Sequence, residues 1–157
     1  MRKGFFSVNG RREEWTYHDD DVLLDSIREA GHTEVHRGCK EGGCGCCAVL
    51  LEGVLVNSCQ VFTASAEGRD ITTVAGLGTI HDPHPLQQAF VETGAVQCGF
   101  CTPAMILSSY ALLQKNPNPS DEEIRRGLDG NSCRCTGYVK IIEAVRLAAG
   151  RMAAHDE

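Results

Sequence analysis

Eight of the nine cysteines in this chain fall into two sets of four, and four converging thiolates are what an iron–sulfur cluster or a structural zinc ion requires. Cys39, Cys44, Cys47 and the more distant Cys59 follow a Cys-x4-Cys-x2-Cys pattern plus one, the plant-type [2Fe–2S] spacing. Gly38, Gly42, Gly43 and Gly45 lie among them, and residues without side chains let a backbone loop wrap a cluster closely and aim its N–H groups at the sulfurs. Zinc and inert buried thiols are the other readings. Zinc knuckles repeat short paired steps on both sides, so this spacing favours iron–sulfur.

Cys98, Cys101, Cys133 and Cys135 form the second set, a Cys-x2-Cys joined to a remote Cys-x-Cys. Each pair stands just ahead of a helix start, where partial positive charge favours thiolates. By itself this set fits a [2Fe–2S] cluster and a four-cysteine zinc site equally well. A redox-active Cys-x2-Cys disulfide is a third reading, weakened by the presence of Cys133 and Cys135. Two cradles in a chain this small suggest an electron relay.

The elements that must position these thiols divide in two. The 157 residues suffice for one domain or for two compact units of about 75 residues each, small enough to need a staple beyond their thin cores. Phe5 to Val8, the turn Asn9-Gly10 and Arg12 to Tyr17 read as a hairpin. An amphipathic helix follows over Val22 to Ala30, closed by Gly31. A second hairpin turns at Glu52-Gly53 between Ala48–Leu51 and Val54–Val56, and Ile71 to Val74 adds a strand. From about Gly78 the texture turns to Gly, His and Pro, then to helices over Leu86–Thr93, Ala104–Lys115 with Thr102 as N-cap, the Ser120/Glu123 capping box through Leu128, and Tyr138–Met152. The expectation is an α+β chain, residues 1–78 forming a small strand-rich unit and 79–157 a bundle of four helices.

Composition narrows the function. A net charge of -6 argues against nucleic-acid binding, and no apolar run is long enough for a membrane span. The N-terminus carries no hydrophobic export segment, which points to the cytoplasm with its thiols reduced. The six histidines form no constellation. His32 and His36 read as solvent-facing or locally hydrogen-bonded, and His81 and His84 as linker residues. No nucleophile with a base, no catalytic carboxylate pair and no phosphate loop is recognisable, so substrate chemistry must happen on another chain.

The stretches Gly38-Cys39-Lys40-Glu41-Gly42-Gly43-Cys44-Gly45-x-Cys47, Gln97-Cys98-Gly99-Phe100-Cys101-Thr102-Pro103 and Asn131-x-Cys133-Arg134-Cys135-Thr136-Gly137-Tyr138 resemble the signatures of the iron–sulfur component of the molybdenum hydroxylases. These are the xanthine oxidase, aldehyde oxidoreductase and carbon monoxide dehydrogenase family. The resemblance implies an N-terminal ferredoxin-like β-grasp domain with the plant-type cluster and a C-terminal four-helix bundle with a second [2Fe–2S] cluster. It implies iron–sulfur clusters rather than zinc in both cradles. It further implies a path for single electrons from a molybdopterin-bound molybdenum centre through the bundle cluster, then the plant-type cluster, usually to FAD. A chain of this size holding only clusters matches the small subunit of three-subunit enzymes. A large molybdopterin-binding subunit, together with a medium FAD-binding subunit, would complete a heterotrimer or a dimer of heterotrimers. The other readings are a free-standing two-cluster ferredoxin and a zinc scaffold.

By the same resemblance Cys135 contacts the pterin through its sulfur and Gln97 hydrogen-bonds the pterin, against a bland reading of Gln97 as a solvent-facing residue. Cys46 stands where the family usually has alanine, and Ala48 where threonine is common. Since one cluster takes four thiolates, Cys46 is expected to be a small buried filler, the alternatives being a substitute ligand or a weak S–H donor that tunes the potential. The substrate of the parent enzyme is not legible, because its pocket lies in another chain.

Overall fold

In the computed structural model, which describes residues 1–155, strands β1 (Arg2–Val8) and β2 (Arg11–Tyr17) pair antiparallel through Asn9 and Gly10. Both turn residues adopt positive φ, 50° and 76°, the left-handed pair that matches the right-handed twist of a two-residue hairpin. Alternation sends Phe6, Val8, Trp15 and Tyr17 inward, and the Phe6 and Trp15 rings stack with centroids 4.2 Å apart. Against this face packs α1 (Leu23–Glu29), whose Leu23, Leu24 and Ile27 are fully buried. Gly31, at φ 103°, lets the chain turn away after the helix.

β3 (Ala48–Leu51), β4 (Val54–Asn57) and β5 (Asp70–Thr72) complete a five-stranded sheet in the order β2-β1-β5-β3-β4. β5 runs parallel to β1 and antiparallel to β3. All four residues of β3 are buried, because one face meets the core of this half and the other is covered by the helix that follows Cys98 and Cys101. A strand covered on both faces loses its polar alternation, and Ala-Val-Leu-Leu shows none.

The remaining helices, α2 (Pro85–Glu92), α3 (Thr102–Lys115), α4 (Asp121–Leu128) and α5 (Val139–His155), share a second core built from Leu86, Phe90, Met105, Ile124, Ile141 and Val145. The molecule is thus a mixed α and β chain with two separate apolar clusters. Among the described residues no helix is long and apolar enough to cross a membrane.

Two helix starts differ from their sequence-based expectation. Thr102 is the first helical residue of α3, and Cys101 stands at the N-cap with its carbonyl accepting from Met105 N at 3.0 Å. His84 is a cap as well as a linker residue: its ring Nδ1 accepts from Leu86 N at 3.2 Å, while Gln87 Oε1 accepts from His84 N at 2.8 Å. Histidine is not among the usual capping residues, so this role escapes a reading based on side-chain type.

The Ser120/Glu123 box ahead of α4 forms as the sequence predicts, with Glu123 Oε2 accepting from Ser120 N at 2.8 Å. Ser120→Ala is expected to lower stability by about 1 kcal/mol, measurable by denaturant titration. The Ser120 backbone N–H, then its hydroxyl, hold the Glu123 carboxyl below its usual pKa. A depressed folded pKa means that this contribution is full above the unfolded carboxylate range and fades as pH falls through the folded value. The difference between wild type and Ser120→Ala therefore shrinks in acid.

Candidate metal centres

The first four thiols are brought together by the long loop after α1 and by the β3–β4 hairpin. Cys39 and Cys44 sit on the loop, Cys47 is buried where the loop enters β3, and Cys59 lies in a short turn, Ser58–Gln60, after β4. Ser58 fastens the two ends: its N–H and its hydroxyl both donate to the Cys47 carbonyl, at 3.2 and 2.7 Å. Gln60 Nε2 reaches Cys59 Sγ at 3.6 Å. The Cys39 thiol is lowered to about 7, first by the backbone N–H of Glu41 and then by the side chain and N–H of Cys44. Burial pushes the Cys47 thiol up, with Cys59 as its thiol neighbour. A Cβ at position 38 would lie 2.8 Å from Cys44 Sγ, so the close wrap needs glycine there.

The second four thiols are held by the loop ahead of α3 and the loop ahead of α5. Cys98 and Cys135 are exposed with their sulfurs 3.5 Å apart, while Cys101 is buried beside the half-buried Cys133. Burial, and then the Cys133 thiol, push Cys101 up to about 12. For Cys133 burial is the largest influence and works against the thiolate, but the hydroxyl and N–H of Thr136, with the Cys135 N–H and the Cys101 thiol, together outweigh it and the thiol falls to about 7. Thr136 Oγ1 lies 3.1 Å and its N–H 3.4 Å from Cys133 Sγ.

The sulfurs of Cys98 and Cys135 stand 3.5 Å apart, and thiol neighbours act on one another between Cys39 and Cys44, Cys47 and Cys59, and Cys101 and Cys133. Among the described residues no three His, Cys, Asp or Glu side chains converge as ligands of one ion would. Paired thiols fit a two-iron cluster, in which each iron takes two, better than a single tetrahedral zinc. All nine cysteines are free.

All four thiols of the second set, Cys98, Cys101, Cys133 and Cys135, line one cavity of about 310 Å³, which Cys44 and Cys46 also border. Cys46 is 6% exposed, joins the apolar core of the helical half, and directs its sulfur to the Cys44 carbonyl at 3.8 Å. Burial, and then the neighbouring Cys44, push its thiol up to about 12, the reverse of the shift at Cys39. Cys46→Ala is expected to leave both clusters assembled at a cost of about 1 kcal/mol in stability. Low-temperature EPR checks this, and loss of either cluster signal in the variant contradicts it.

Gln97, Cys98, Phe100 and Cys135 are all exposed. His36, read as solvent-facing or locally bonded, instead joins the two halves: its ring stacks on Phe100 with centroids 4.7 Å apart and its Nδ1 meets the Phe100 carbonyl at 2.7 Å. His32 pairs with Glu13 at 3.1 Å and belongs to neither cradle. Asn131 and Tyr138, which carry no metal-ligating group, turn out to brace the second cradle. Tyr138 Oη accepts from Cys133 N at 2.8 Å and donates to the Asn131 carbonyl at 3.3 Å. Tyr138 does so from φ 68°, a conformation bulky residues rarely adopt.

Residues 6–73 match the family model described as a 2Fe-2S iron-sulfur cluster binding domain, and residues 73–146 match the one described as a [2Fe-2S] binding domain. The nicotinate dehydrogenase small FeS subunit of Eubacterium barkeri is 47% identical over 94% of both chains. This chain belongs to the two-cluster iron–sulfur component of the molybdenum hydroxylases. A nicotinate dehydrogenase chain of Pseudomonas putida is 51% identical over 90% of this chain and 91% of that one. The crystal structure of quinoline 2-oxidoreductase from Pseudomonas putida 86 superposes with a TM-score of 0.93 at 37% identity, covering 99% of this chain and 98% of the matched chain. The protein is an electron-transfer subunit of a multi-subunit oxidoreductase of this family. Its cofactors are [2Fe–2S] clusters.

Proposed function

We propose that this chain is the small subunit of a three-subunit molybdenum hydroxylase, with Cys39, Cys44, Cys47 and Cys59 holding one [2Fe–2S] cluster and Cys98, Cys101, Cys133 and Cys135 a second. The observation that carries the ligand assignment is the gathering of each set: Cys98, Cys101, Cys133 and Cys135 line one cavity, and Ser58 ties the turn bearing Cys59 to Cys47 at the end of the loop bearing Cys39 and Cys44. When bound, the clusters accept and release one electron each, and the chain's own residues prepare the sites for them. Thr136 and the backbone N–H groups around Cys39 stabilise thiolates, Ser58 ties Cys59 to Cys47, and the buried Cys47 and Cys101 anchor each set in its core.

Residues 1–78 are a ferredoxin-like β-grasp domain and 79–157 a four-helix bundle in this reading. Support comes from the parallel β1–β5 pairing within the mixed sheet, the two separate apolar clusters, and the meeting of the two family models at residue 73. The exposed group of Gln97, Cys98 and Cys135 faces a large molybdopterin-bearing subunit, where Gln97 and Cys135 contact the pterin. A medium FAD-bearing subunit receives electrons from the first cluster. The assembly is a heterotrimer or its dimer, housed in the cytoplasm where thiolates escape disulfide formation. The nicotinate dehydrogenase relatives make a pyridine-type carboxylate the first substrate class to test.

Native purification under anaerobic conditions, followed by mass spectrometry of every bound chain and cofactor, tests the assembly. The expected result is stable co-isolation with one molybdopterin chain and one FAD chain. Isolation of this chain alone, loaded and redox-active, would mean a diffusible two-cluster ferredoxin.

A further inference from the structure

We propose that Asn131 is a positioning residue that fixes the spacing between the two cluster cradles, an inference that rests on the ligand assignment above. Asn131 is 6% exposed and both ends of its carboxamide are engaged by different parts of the chain. Its Nδ2 donates to the carbonyl of Gly45, in the first cradle's loop, at 3.1 Å. Its Oδ1 accepts from the buried Ser108 hydroxyl at 2.6 Å, and Ser108 lies on α3, the helix that Cys101 caps. Its backbone carbonyl accepts from Tyr138 Oη, which in turn accepts from Cys133 N. The next residue, Ser132, donates its N–H to the Cys44 carbonyl at 2.9 Å.

One side chain thus joins the loop of the first cradle to the helix and the loop that carry the second. Neither Ser108 nor Asn131 binds metal, and neither faces solvent. A buried polar group is costly unless fully satisfied, so a satisfied network of this kind is a rigid geometric constraint. Gly45 shows the same fit from the other side. A Cβ there would collide with the Gly130 carbonyl and lie 2.8 Å from Asn131 Nδ2, so the approach that forms the bond is available to glycine alone. Electron transfer between clusters falls steeply with their separation, which gives a fixed spacing a function beyond stability.

The test uses the full chain, cluster-loaded and in its complete complex. Each reduced cluster has a net spin of one half, and the dipolar magnetic coupling between the two falls with the cube of their distance. In Asn131→Ala, iron and sulfide contents stay at the wild-type level and both cluster signals persist, while the splitting that each imposes on the other shifts. Thermal stability alone does not report this. Unchanged splitting with both clusters loaded overturns the proposal. Should Asn131→Ala fail to assemble, Ser108→Ala removes only the donor to Oδ1; a shift in the same splitting supports the role and an unshifted one overturns it. Wild-type chain lacking either cluster signal would defeat the ligand assignment instead, a distinguishable failure.

Discussion

Cys133→Ala is expected to abolish the second cluster, keep the first, and lower turnover of the assembled enzyme by more than about 100-fold, beyond what losing a residue that merely supports a ligand costs. Cys133 is the second-cradle thiol whose surroundings most favour the thiolate: Thr136 contributes both its hydroxyl and its N–H, and the thiol falls to about 7 despite burial. It also neighbours the buried Cys101, and in the proposed assignment its loss would leave the second cluster with three protein ligands. The first cradle is assembled from other segments, the loop after α1 and the β3–β4 hairpin, and its thiols do not depend on Cys133. Iron content is expected to fall from about four to about two per chain, with one of two EPR signals remaining. A variant that turned over at the normal rate, or that lost both signals, would show that the cradles are not wired or built as described.

Gly45→Ala carries the second largest expected effect. Two costs coincide there. The residue sits at φ 67°, where a side chain is strained by about 1–2 kcal/mol, and its Cβ would collide with the backbone carbonyl of Gly130. Backbone on both sides cannot give way without moving Cys44 or the 130–133 segment, so the expected loss is about 3 kcal/mol or more, within the range reserved for named structural faults. Gly53→Ala is the control. Gly53 has φ 75° but nothing within 4 Å of a would-be Cβ, so only the conformational cost of about 1–2 kcal/mol applies. Thermal melts of the two loaded variants separate strain from collision: Gly45→Ala melts well below Gly53→Ala and loses iron, and equal melting would remove the case for a tight contact between the halves at this point.

Much of this molecule is legible in one dimension because its chemistry is local. Cys39, Cys44 and Cys47 share one loop, Asn9, Gly10 and Gly53 are turn residues whose types announce their positive φ, and Ser120 with Glu123 caps α4 through neighbours three apart. Sheet order was less accessible. β5 inserts between β1 and β3, a parallel pairing between residues more than sixty positions apart that no local pattern encodes. The long-range polar contacts were least legible. Asn131 binds Gly45 across 86 residues, and His36 binds Phe100 across 64. Asn and His at such positions look like ordinary loop residues until the fold brings their partners to them. His84 and Cys101 at helix N-caps belong to the same class, since neither type is a usual cap and each is fixed by what surrounds it.

The pairing of eight thiols into two diiron cradles is tested most directly by iron and sulfide analysis combined with EPR of the anaerobically purified, dithionite-reduced protein. About four irons and about four sulfides per chain with two distinct signals is the expected result. A colourless preparation that contains zinc or no metal, yet supports full activity in its parent complex, would contradict it.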